Sequence, residues 1–326
     1  MTELAIPDLS DVLAARGRIA AYLQPTPLYS YPALDSLTGT RVWVKHENHQ
    51  PIGAFKVRGG INLISQLGAD DRRRGVITAS TGNHGQSVAY AANVFGVPAV
   101  VCVPEHANPV KVESMRALGA EVISHGRDFD DAREHCEKLA AERGYRYIHS
   151  ANERALIAGV ATYTLEILEA QPETDVIVVP IGGGSGAAGA CVVATAARPS
   201  IEVIGVQSEA APAAYRSWQA RALVEATTAT LAEGLATRTA FELTQRILWE
   251  RLDDFVLVSE AELTEATRLM ISKTRNLVEP AGAAALAAVL AAPARYAGRR
   301  VAIVCSGGNI SPEQLARLWP AGPASA

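Results

Sequence analysis

Cysteine is scarce in this chain, and the few cysteines present exclude two classes of protein. The 326 residues contain four, Cys102, Cys136, Cys191 and Cys305, and no pair of them has the spacing of metal ligands. Cys102, Cys191 and Cys305 lie in apolar runs, as small core residues do. The sequence therefore predicts neither a disulfide framework nor a cysteine-ligated metal centre, and we expect a protein of the reducing cytoplasm.

Long apolar runs and an excess of charge are also missing. The longest apolar run, Ala281 to Ala292, contains a glycine and is too short to cross a bilayer. The N-terminal stretch Met1 to Ala20 places acidic residues before its apolar ones, unlike a signal peptide. The net charge is −4, and the charged run Asp70 to Arg74 mixes both signs. We therefore expect neither a membrane nor a nucleic acid as a partner.

Apolar residues are abundant instead, at 48% against 20% charged residues, which is typical of a globular protein with a large core. From Gly75 onward, short apolar strands alternate with helical stretches, and this alternation favours an α/β fold with parallel sheets covered on both faces. The length admits two domains or one large α/β unit. The segment from Gln207 to Leu235 has no clear β pattern, and within it we predict a helix over Ala211 to Leu223.

Residue periodicity predicts the individual elements. The predicted helices include Pro7 to Tyr22, capped by Asp8 or Ser10, Val57 to Leu67 and Gln86 to Phe95. The predicted strands include Arg41 to Glu47, Tyr145 to His149, Asp254 to Val258 and Arg300 to Cys305. A turn is predicted over Thr81 to Gly85.

Lys56 has unusual surroundings for a lysine. It lies between Phe55 and Val57 and follows the turn Pro51 to Gly53. Burial disfavours the ammonium form, and a neutral amine can attack a carbonyl to form a Schiff base. Taken alone, the stretch is better explained by a lysine whose stem packs while its amine reaches water. Three glycine-rich segments further along the chain reverse that judgement.

The glycine loop Pro180 to Gly186 carries the strongest single signal. It lies between a predicted strand and a predicted helix. Glycines let consecutive backbone N–H groups point inward, and the helix start adds positive potential, so the loop predicts a phosphate site. It has neither the Walker lysine nor G-x-G-x-x-G spacing, which argues against ATP and NAD. A tight strand-to-helix turn is the alternative, although it requires fewer glycines.

Three further segments carry polar groups at predicted element ends. Ser80 to His84 offers backbone donors, hydroxyls, an amide and an imidazole, which suit a carboxylate or a ring oxygen, but an N-capped helix start explains it equally well. Ser306 to Asn309 places a hydroxyl at the carboxyl edge of the sheet, where open α/β sheets bind ligands, although alone a turn is the better explanation. Glu279 either caps its helix or faces the pocket.

One cofactor, pyridoxal 5′-phosphate, uses a Schiff-base lysine, a phosphate loop, a ring-oxygen donor and a ring-nitrogen partner together. In combination and in order, these motifs resemble the fold-type II pyridoxal-phosphate enzymes of the threonine/serine dehydratase and serine racemase group. The resemblance covers nearly the whole chain, from Thr26 to Asn309. It implies a tryptophan-synthase-β-like fold of two domains, each an open, mostly parallel sheet with helices on both faces. The large cofactor-binding domain would comprise residues 1–67 and 152–326, and the small domain residues 68–151.

The same resemblance implies roles for individual residues. Lys56 forms the Schiff base and acts in catalysis with Ser80 and Thr81. The residues implied to bind the cofactor are Phe55 against its ring, Asn83 at its ring hydroxyl, Ser306 at its pyridine nitrogen, Glu279, and Gly182, Gly183, Gly184, Ser185 and Gly186 at its phosphate. The residues implied to bind the substrate are Ser80, Thr81, Asn83 and His84.

Some positions depart from the family pattern. Thr81 stands where the racemase has its second acid/base serine, which favours dehydration. Ser185 stands where the family often has a fourth glycine. Gln207, Ala211 and Ala213 stand where several relatives bind a divalent cation, so we expect no metal. The chain also ends without the regulatory domain of the biosynthetic threonine dehydratases, so we expect no allosteric feedback.

The implied reaction is α,β-elimination of water from threonine, serine or a similar β-hydroxy amino acid, giving a 2-oxo acid and ammonia. His149 to Gly159 is similar to dehydratases assigned to hydroxyectoine utilisation, so a hydroxyectoine-derived substrate is a further candidate. A serine-type racemase, a β-replacement synthase and a non-catalytic ligand-binding homologue remain alternatives. A homodimer is expected from the resemblance alone.

Overall fold

A computed structural model describes residues 4–319, and these contain ten β-strands. They are β1 (Leu28–Ser30), β2 (Arg41–His46), β3 (Val76–Ala79), β4 (Ala99–Val103), β5 (Glu121–Ser124), β6 (Arg146–Tyr147), β7 (Val176–Pro180), β8 (Glu202–Ser208), β9 (Asp254–Val258) and β10 (Arg300–Cys305).

Fifteen α-helices join or flank these strands in the described part of the chain. They are α1 (Leu9–Ile19), α2 (Pro32–Thr38), α3 (Lys56–Ile64), α4 (Ala69–Arg74), α5 (Asn83–Val94), α6 (Pro109–Ala117), α7 (Phe129–Arg143), α8 (Arg154–Ala170), α9 (Ser185–Ala197), α10 (Ala213–Ala220), α11 (Glu242–Arg251), α12 (Glu260–Thr274), α13 (Pro280–Ala291), α14 (Pro293–Tyr296) and α15 (Pro312–Leu318). None of them is both long enough and apolar enough to span a bilayer.

The strands form two sheets. The larger has six strands in the order β1-β2-β10-β7-β8-β9, and only its edge strand β1 runs antiparallel. The smaller has four parallel strands in the order β5-β4-β3-β6. Parallel neighbours need a crossover connection, so the alternation of strand and helix along the chain produces this topology.

Helices cover both faces of the larger sheet, as alternate residues of β7 demonstrate. Ile177 and Val179 join the core formed with α8 and α9, whereas Val176 and Val178 join the core formed with α12 and α13. Because both faces are buried, the strand is a continuous apolar run rather than an alternating one. The smaller sheet is covered in the same way, with α5 and α6 on one face and α7 on the other.

The expected α/β fold with two mostly parallel sheets is confirmed. All strands of the smaller sheet fall within residues 68–151, and all strands of the larger fall outside that range. The domain boundaries themselves stay a prediction. The four cysteines are buried and free.

Several element boundaries differ from the sequence-based expectation. Helix α3 begins at Lys56 and ends at Ile64 rather than spanning 57–67, and α5 begins at Asn83, so the turn expected over 81–85 is partly helical. Asp8, rather than Ser10, caps α1 through a reciprocal capping box. Periodicity did not reveal β1, α2, α4, α14 or α15, because segments of three to seven residues are too short to establish a period.

A glycine seam, defined here as Gly59, Gly60 and Gly159, lets α3 pack directly against α5 and α8. A Cβ on Gly60 would lie 2.7 Å from the Ser87 carbonyl oxygen, and one on Gly159 would lie 2.6 Å from the Arg58 carbonyl oxygen. Any side chain at these positions would force the helices apart. The seam therefore fixes α3, and with it Lys56, between the two neighbouring helices.

Candidate active site

The residues that the sequence assigned to the site line one cavity of about 910 Å³. Ser80 follows β3, Gly182 follows β7 and Ser306 follows β10, so the cavity lies at the carboxyl ends of both sheets, where open α/β sheets bind ligands. The assigned residues that line it are Phe55, Lys56, Ser80, Thr81, Asn83, His84, Gly182, Gly183, Gly184, Ser185, Gly186, Glu279 and Ser306. The structure brings them together, while their individual roles stay predictions.

The amine of Lys56 faces this cavity from the first residue of α3. Its Nζ donates hydrogen bonds to the Ser150 carbonyl at 3.0 Å and to Ser185 Oγ at 2.9 Å, and lies 5.4 Å from the centre of the Phe55 ring. No carboxylate within residues 4–319 forms an ion pair with it. Desolvation by the cavity walls lowers the pKa of Lys56 to about 8. Neutral amine is therefore available near neutral pH.

Backbone hydrogen bonds fasten the Lys56 turn to the end of β10. The Phe55 N–H donates to the Ser306 carbonyl at 3.1 Å, and the Gly308 N–H donates to the Gly53 carbonyl at 2.9 Å. From the other side, Ser87 Oγ donates to the Lys56 carbonyl at 2.6 Å. The lysine and Ser306 are therefore held at a fixed spacing.

The lowered pKa of Lys56 predicts how an aldehyde reacts with it. The rate at which the cofactor-free protein takes up an aldehyde cofactor should rise with pH and level off above about 8, because only the neutral amine attacks. Stopped-flow absorbance between pH 6 and about 10 measures this rate. A midpoint near the ordinary lysine value of 10.5 would contradict the desolvated environment.

The glycine loop presents unused donors to the cavity. In the part of the chain that the structure describes, the backbone N–H groups of Gly183 to Ala187 donate to no acceptor, and they lie at the start of α9. Gly184 has a φ of +87°, which disfavours any residue with a Cβ. A Cβ on Gly183 would lie 3.1 Å from the Phe241 ring. Close packing and backbone conformation therefore explain the glycines, and the free donors suit an anion.

Asn83 is held by a chain of side-chain hydrogen bonds. Its Nδ2 donates to Glu279 Oε1 at 2.7 Å, and its Oδ1 accepts from Asn309 Nδ2 at 2.7 Å. Asn309 Nδ2 also donates to the Ile52 carbonyl, next to the Lys56 turn. These bonds fix the orientation of the Asn83 amide and leave one N–H of Nδ2 for a ligand.

Glu279 faces the cavity rather than capping its helix through its side chain, which decides between the two sequence-based alternatives. The side chain is 5% exposed, and burial raises the pKa of Glu279 to about 7. The group is therefore partly protonated at neutral pH and can donate or accept a hydrogen bond.

The segment from Ser80 to His84 forms the opposite wall. Ser80 Oγ accepts from the Gly82 N–H at 3.2 Å, and the Thr81 hydroxyl has no hydrogen-bond partner within the described residues. His84 is 5% exposed; burial and the Lys56 charge lower its pKa to about 3, so its imidazole is neutral. His84 Nδ1 also lacks a partner among residues 4–319. Unused polar groups of this kind suit a bound carboxylate or hydroxyl.

Sequence reasoning missed a buried charge network beneath the lysine. Arg58, two residues after Lys56, donates to Glu47 at 2.7 and 2.8 Å and to Glu166 at 2.6 and 2.8 Å. Lys45 Nζ also donates to Glu166, at 2.5 Å. Although burial opposes it, hydrogen bonds from Arg58 and Lys45 hold the pKa of Glu166 below its usual value. Two cations thus balance two carboxylates under the first turn of α3.

Part of the outer wall of the cavity comes from Thr228 and from Glu233 to Thr239, at the end of the segment that had no β pattern and just beyond it. Glu233, Arg238 and their neighbours line it, and they pair across the cavity with residues that follow β4 and β5. Glu233 bonds Lys111, and Arg238 Nη1 lies 3.2 Å from Asp130 Oδ2. No sequence signal links these partners, because more than 100 residues separate each pair.

No group of three or more His, Cys, Asp or Glu side chains able to hold a metal ion occurs within residues 4–319. Gln207, one of the three positions at which the sequence resemblance led us to expect no metal, accepts the Tyr215 N–H through Oε1 at 3.0 Å. The expectation of a metal-free enzyme stays a prediction.

One cavity contains a desolvated lysine, a donor-rich loop at a helix start and a polar wall. This combination defines an enzyme that holds an anionic cofactor with a carbonyl group. The chain belongs to the family of pyridoxal-phosphate dependent enzymes, which matches it over residues 19–307.

Named relatives and a solved structure agree with this family. The L-threonine ammonia-lyase of Thermotoga maritima is 37% identical over 311 residues, covering 95% of this chain and 77% of that protein. The L-threo-3-hydroxyaspartate ammonia-lyase of Saccharomyces cerevisiae is 34% identical over 316 residues, covering 97% of each. Maize serine racemase has a similar structure, with a TM-score of 0.91 at 31% identity, covering 96% of this chain and 97% of that one.

The cavity residues fit pyridoxal phosphate, the cofactor of this family. The free N–H groups of Gly183 to Ala187 suit a phosphate. The Lys56 amine suits an aldehyde. Asn83, Glu279 and Ser306 supply polar atoms on the wall between them. This donor set agrees with the family assignment.

Proposed function

We propose that this protein is a pyridoxal-phosphate dependent ammonia-lyase that removes water from a β-hydroxy amino acid, giving a 2-oxo acid and ammonia. The observation that carries the proposal is the Lys56 amine, desolvated and 2.9 Å from Ser185 in the same cavity as the donor-rich loop. The names of the two sequence relatives support this reaction class, since both are ammonia-lyases.

The cofactor would be held by groups already directed into the cavity. Its phosphate would take the N–H groups of the loop from Gly182 to Gly186 together with the Ser185 hydroxyl. Its ring would lie beside Phe55, with the Asn83 amide at the ring hydroxyl and Ser306 at the pyridine nitrogen. Lys56 would carry the covalent bond.

When bound, pyridoxal phosphate supplies an electron-withdrawing ring that stabilises negative charge at the substrate α-carbon. The chain itself supplies the base, because the Lys56 amine accepts the α-proton at Nζ. The polar groups of Ser80, Thr81 and His84 bind the substrate carboxylate and orient that proton toward Lys56, while the one free N–H of Asn83 serves the ring hydroxyl. Ser306 is a neutral partner for the ring nitrogen, so it does not protonate the ring as an acid would.

Racemisation is the second candidate, because the fold resembles maize serine racemase. A racemase needs an acid/base on the face of the substrate opposite the lysine. By the sequence resemblance, Thr81 would take the corresponding position, and threonine is less suited to two-sided proton transfer than serine, so elimination is the function we favour.

A substrate panel tests the proposal. Purified protein loaded with pyridoxal phosphate should release ammonia and a 2-oxo acid in equal amounts from at least one of threonine, serine, 3-hydroxyaspartate and hydroxyectoine-derived amino acids. Ammonia is measured by a coupled assay, the oxo acid by its hydrazone, and the remaining substrate by chiral chromatography. Enantiomer formation without ammonia would support racemisation, and product formed only with added sulfide would support β-replacement. If none of these substrates is converted, the result would support the alternative that the protein is a non-catalytic ligand-binding homologue.

We also propose that the protein is a cytoplasmic homodimer in which residues 68–151 form the small domain. Sedimentation of the purified protein tests the dimer, and a monomer at micromolar concentration would contradict it. Limited proteolysis that cuts near residues 67 and 151 would support the domain boundaries.

A further inference from the structure

Two carbonyl groups of the glycine loop are held from behind by hydroxyl groups of buried side chains. Tyr163 Oη donates to the Gly186 carbonyl at 2.8 Å, and Thr244 Oγ1 donates to the Gly183 carbonyl at 2.9 Å. Thr244 Oγ1 also lies 3.1 Å from the Phe241 carbonyl oxygen, so its one proton is shared between two acceptors. Tyr163 is 0% exposed, Thr244 is 1% exposed, and neither lines the cavity. Both hydroxyls therefore act on the far side of the loop.

The direction of each of these carbonyls determines the direction of one loop N–H. A trans peptide unit is planar, so its C=O and its N–H point in opposite directions. The Gly183 carbonyl shares a trans unit with the Gly184 N–H, and the Gly186 carbonyl shares one with the Ala187 N–H. Both N–H groups belong to the set that donates to no acceptor in the described part of the chain. Each hydroxyl therefore turns one free donor away from the helix that carries the hydroxyl.

Glycine leaves the orientation of the first of these units undetermined. The peptide unit between Gly183 and Gly184 has glycine on both sides, and Gly184 has a φ of +87°. Glycine adopts positive and negative φ at similar cost, so such a unit can rotate where other residues could not. A rotated unit would turn its carbonyl oxygen, rather than its N–H, toward an anion. The hydrogen bond from Thr244 selects the orientation that presents the donor.

Tyr163 relates the loop to the reactive lysine. It lies on α8 four residues after Gly159 of the glycine seam, so one face of α8 contacts both α3 and the loop. Its ring meets the Phe55 ring edge-on, with the centroids 6.4 Å apart, and Phe55 directly precedes Lys56. Burial raises the pKa of Tyr163 above its usual value, so the hydroxyl keeps its proton and stays a donor.

We propose that Thr244 and Tyr163 are positioning residues that orient the glycine loop for the cofactor phosphate by holding its carbonyl groups. Thr244 keeps the Gly184 N–H directed away from α11, and Tyr163 keeps the first turn of α9 at a fixed distance from Lys56. Both act through the loop backbone rather than by contact with the cofactor. The inference depends on the cofactor of the family and does not depend on the reaction proposed above.

The contribution of the phosphate to cofactor binding measures this orientation. Pyridoxal has the same aldehyde as pyridoxal phosphate but lacks the phosphate, so the ratio of its Kd to that of pyridoxal phosphate isolates the phosphate contribution. Absorbance titration of the cofactor-free protein gives both constants without any substrate. Thr244→Val and Tyr163→Phe each remove a hydroxyl and keep most of the side-chain shape. We expect each of them to lower the ratio about tenfold, because a buried carbonyl loses its donor and the loop loses its fixed orientation.

Thr267→Val is the matched control. Thr267 is 0% exposed, and its Oγ1 also donates to a backbone carbonyl, that of Leu263, within α12 and outside the cavity. The ratio of this variant should equal that of the parent protein. Thr244→Ser, which restores the hydroxyl, should recover most of the ratio lost in Thr244→Val.

A purely structural role of the two hydroxyls predicts a different outcome. The affinities for pyridoxal and pyridoxal phosphate would then fall by the same factor, the ratio would stay at the parent value, and the proposal would be wrong. An equal fall of the ratio in Thr267→Val would also overturn it. Urea denaturation identifies a variant that does not fold, and because the hydroxyls lie on different helices, the remaining variant then decides. Absence of ammonia release from the parent protein would contradict the proposed function alone, since this ratio is measured without substrate.

Discussion

Lys56→Ala should lower the rate of ammonia release by at least about 10⁴-fold, the largest effect that we expect from a single substitution. The reason is that one amine supplies both the covalent bond to the cofactor and the base for the α-proton. The visible absorbance of the lysine–cofactor bond should disappear as well. Titration with pyridoxal phosphate, followed by absorbance and by the ammonia assay, measures both.

Lys138→Ala is the matched control, since it removes the same charge from the exposed face of α7, outside the cavity. Its rate and its absorbance should equal those of the parent protein. A Lys56→Ala protein that keeps the absorbance would show that another amine binds the cofactor, and the assignment of Lys56 would be wrong.

Arg58→Ala should give the largest loss of stability, about 3–5 kcal/mol in the free energy of unfolding. Arg58 is 1% exposed, and its removal leaves the Glu47 carboxylate, which is 0% exposed, without the guanidinium that neutralises it. Among residues 4–319, Glu166 would keep Lys45 alone as an ionic partner. Urea denaturation of the parent and variant proteins, followed by circular dichroism, measures the difference.

Arg16→Ala tests whether burial is the cause. Arg16 forms an ion pair with Glu169 at the surface, where the two side chains are 46% and 61% exposed. Exposed pairs contribute at most about 1 kcal/mol, because water and salt screen the charges. Equal losses in Arg16→Ala and Arg58→Ala would contradict the special cost of breaking the buried network.

The fold was predictable wherever burial on two faces makes a strand uniformly apolar. The predicted bounds of Arg300–Cys305 agree with the structure for this reason. The bounds of the edge strand Asp254–Val258 agree as well, although only Phe255 and Val258 are buried there. Prediction was poorer where the backbone changes type near the site. The polar residues from Ser80 to His84 allowed a capped helix start, but the residue before α5 is Gly82, which supplies no side-chain cap, so the start at Asn83 could not be placed from the sequence.

The site was predictable from its motifs, but the contacts between them were not. The strands before Lys56 and Ser306, β2 and β10, are parallel neighbours, so these two residues meet at the carboxyl edge of the larger sheet. Ser80 ends a strand of the smaller sheet, so its approach to them does not follow from that pattern. The partnership of Arg58 with Glu166, 108 residues away, depends on how α3 packs against α8, which no local pattern encodes. The hydrogen bond from Lys56 Nζ to the Ser150 carbonyl could not be predicted for another reason. Every residue has a backbone carbonyl, so no residue type marks this acceptor in the sequence.

The glycine seam has a consequence for attempts to retarget this enzyme. Saturation mutagenesis at Gly59, Gly60 or Gly159 would push apart the helices that hold the reactive amine, so such libraries should yield mainly inactive clones. The strip formed by Thr228 and by Glu233 to Thr239 lines the same cavity, and Glu233, Ala236, Arg238 and Thr239 in it are exposed. New selectivity is therefore best sought by diversifying that strip while the helix that carries Lys56 is left untouched.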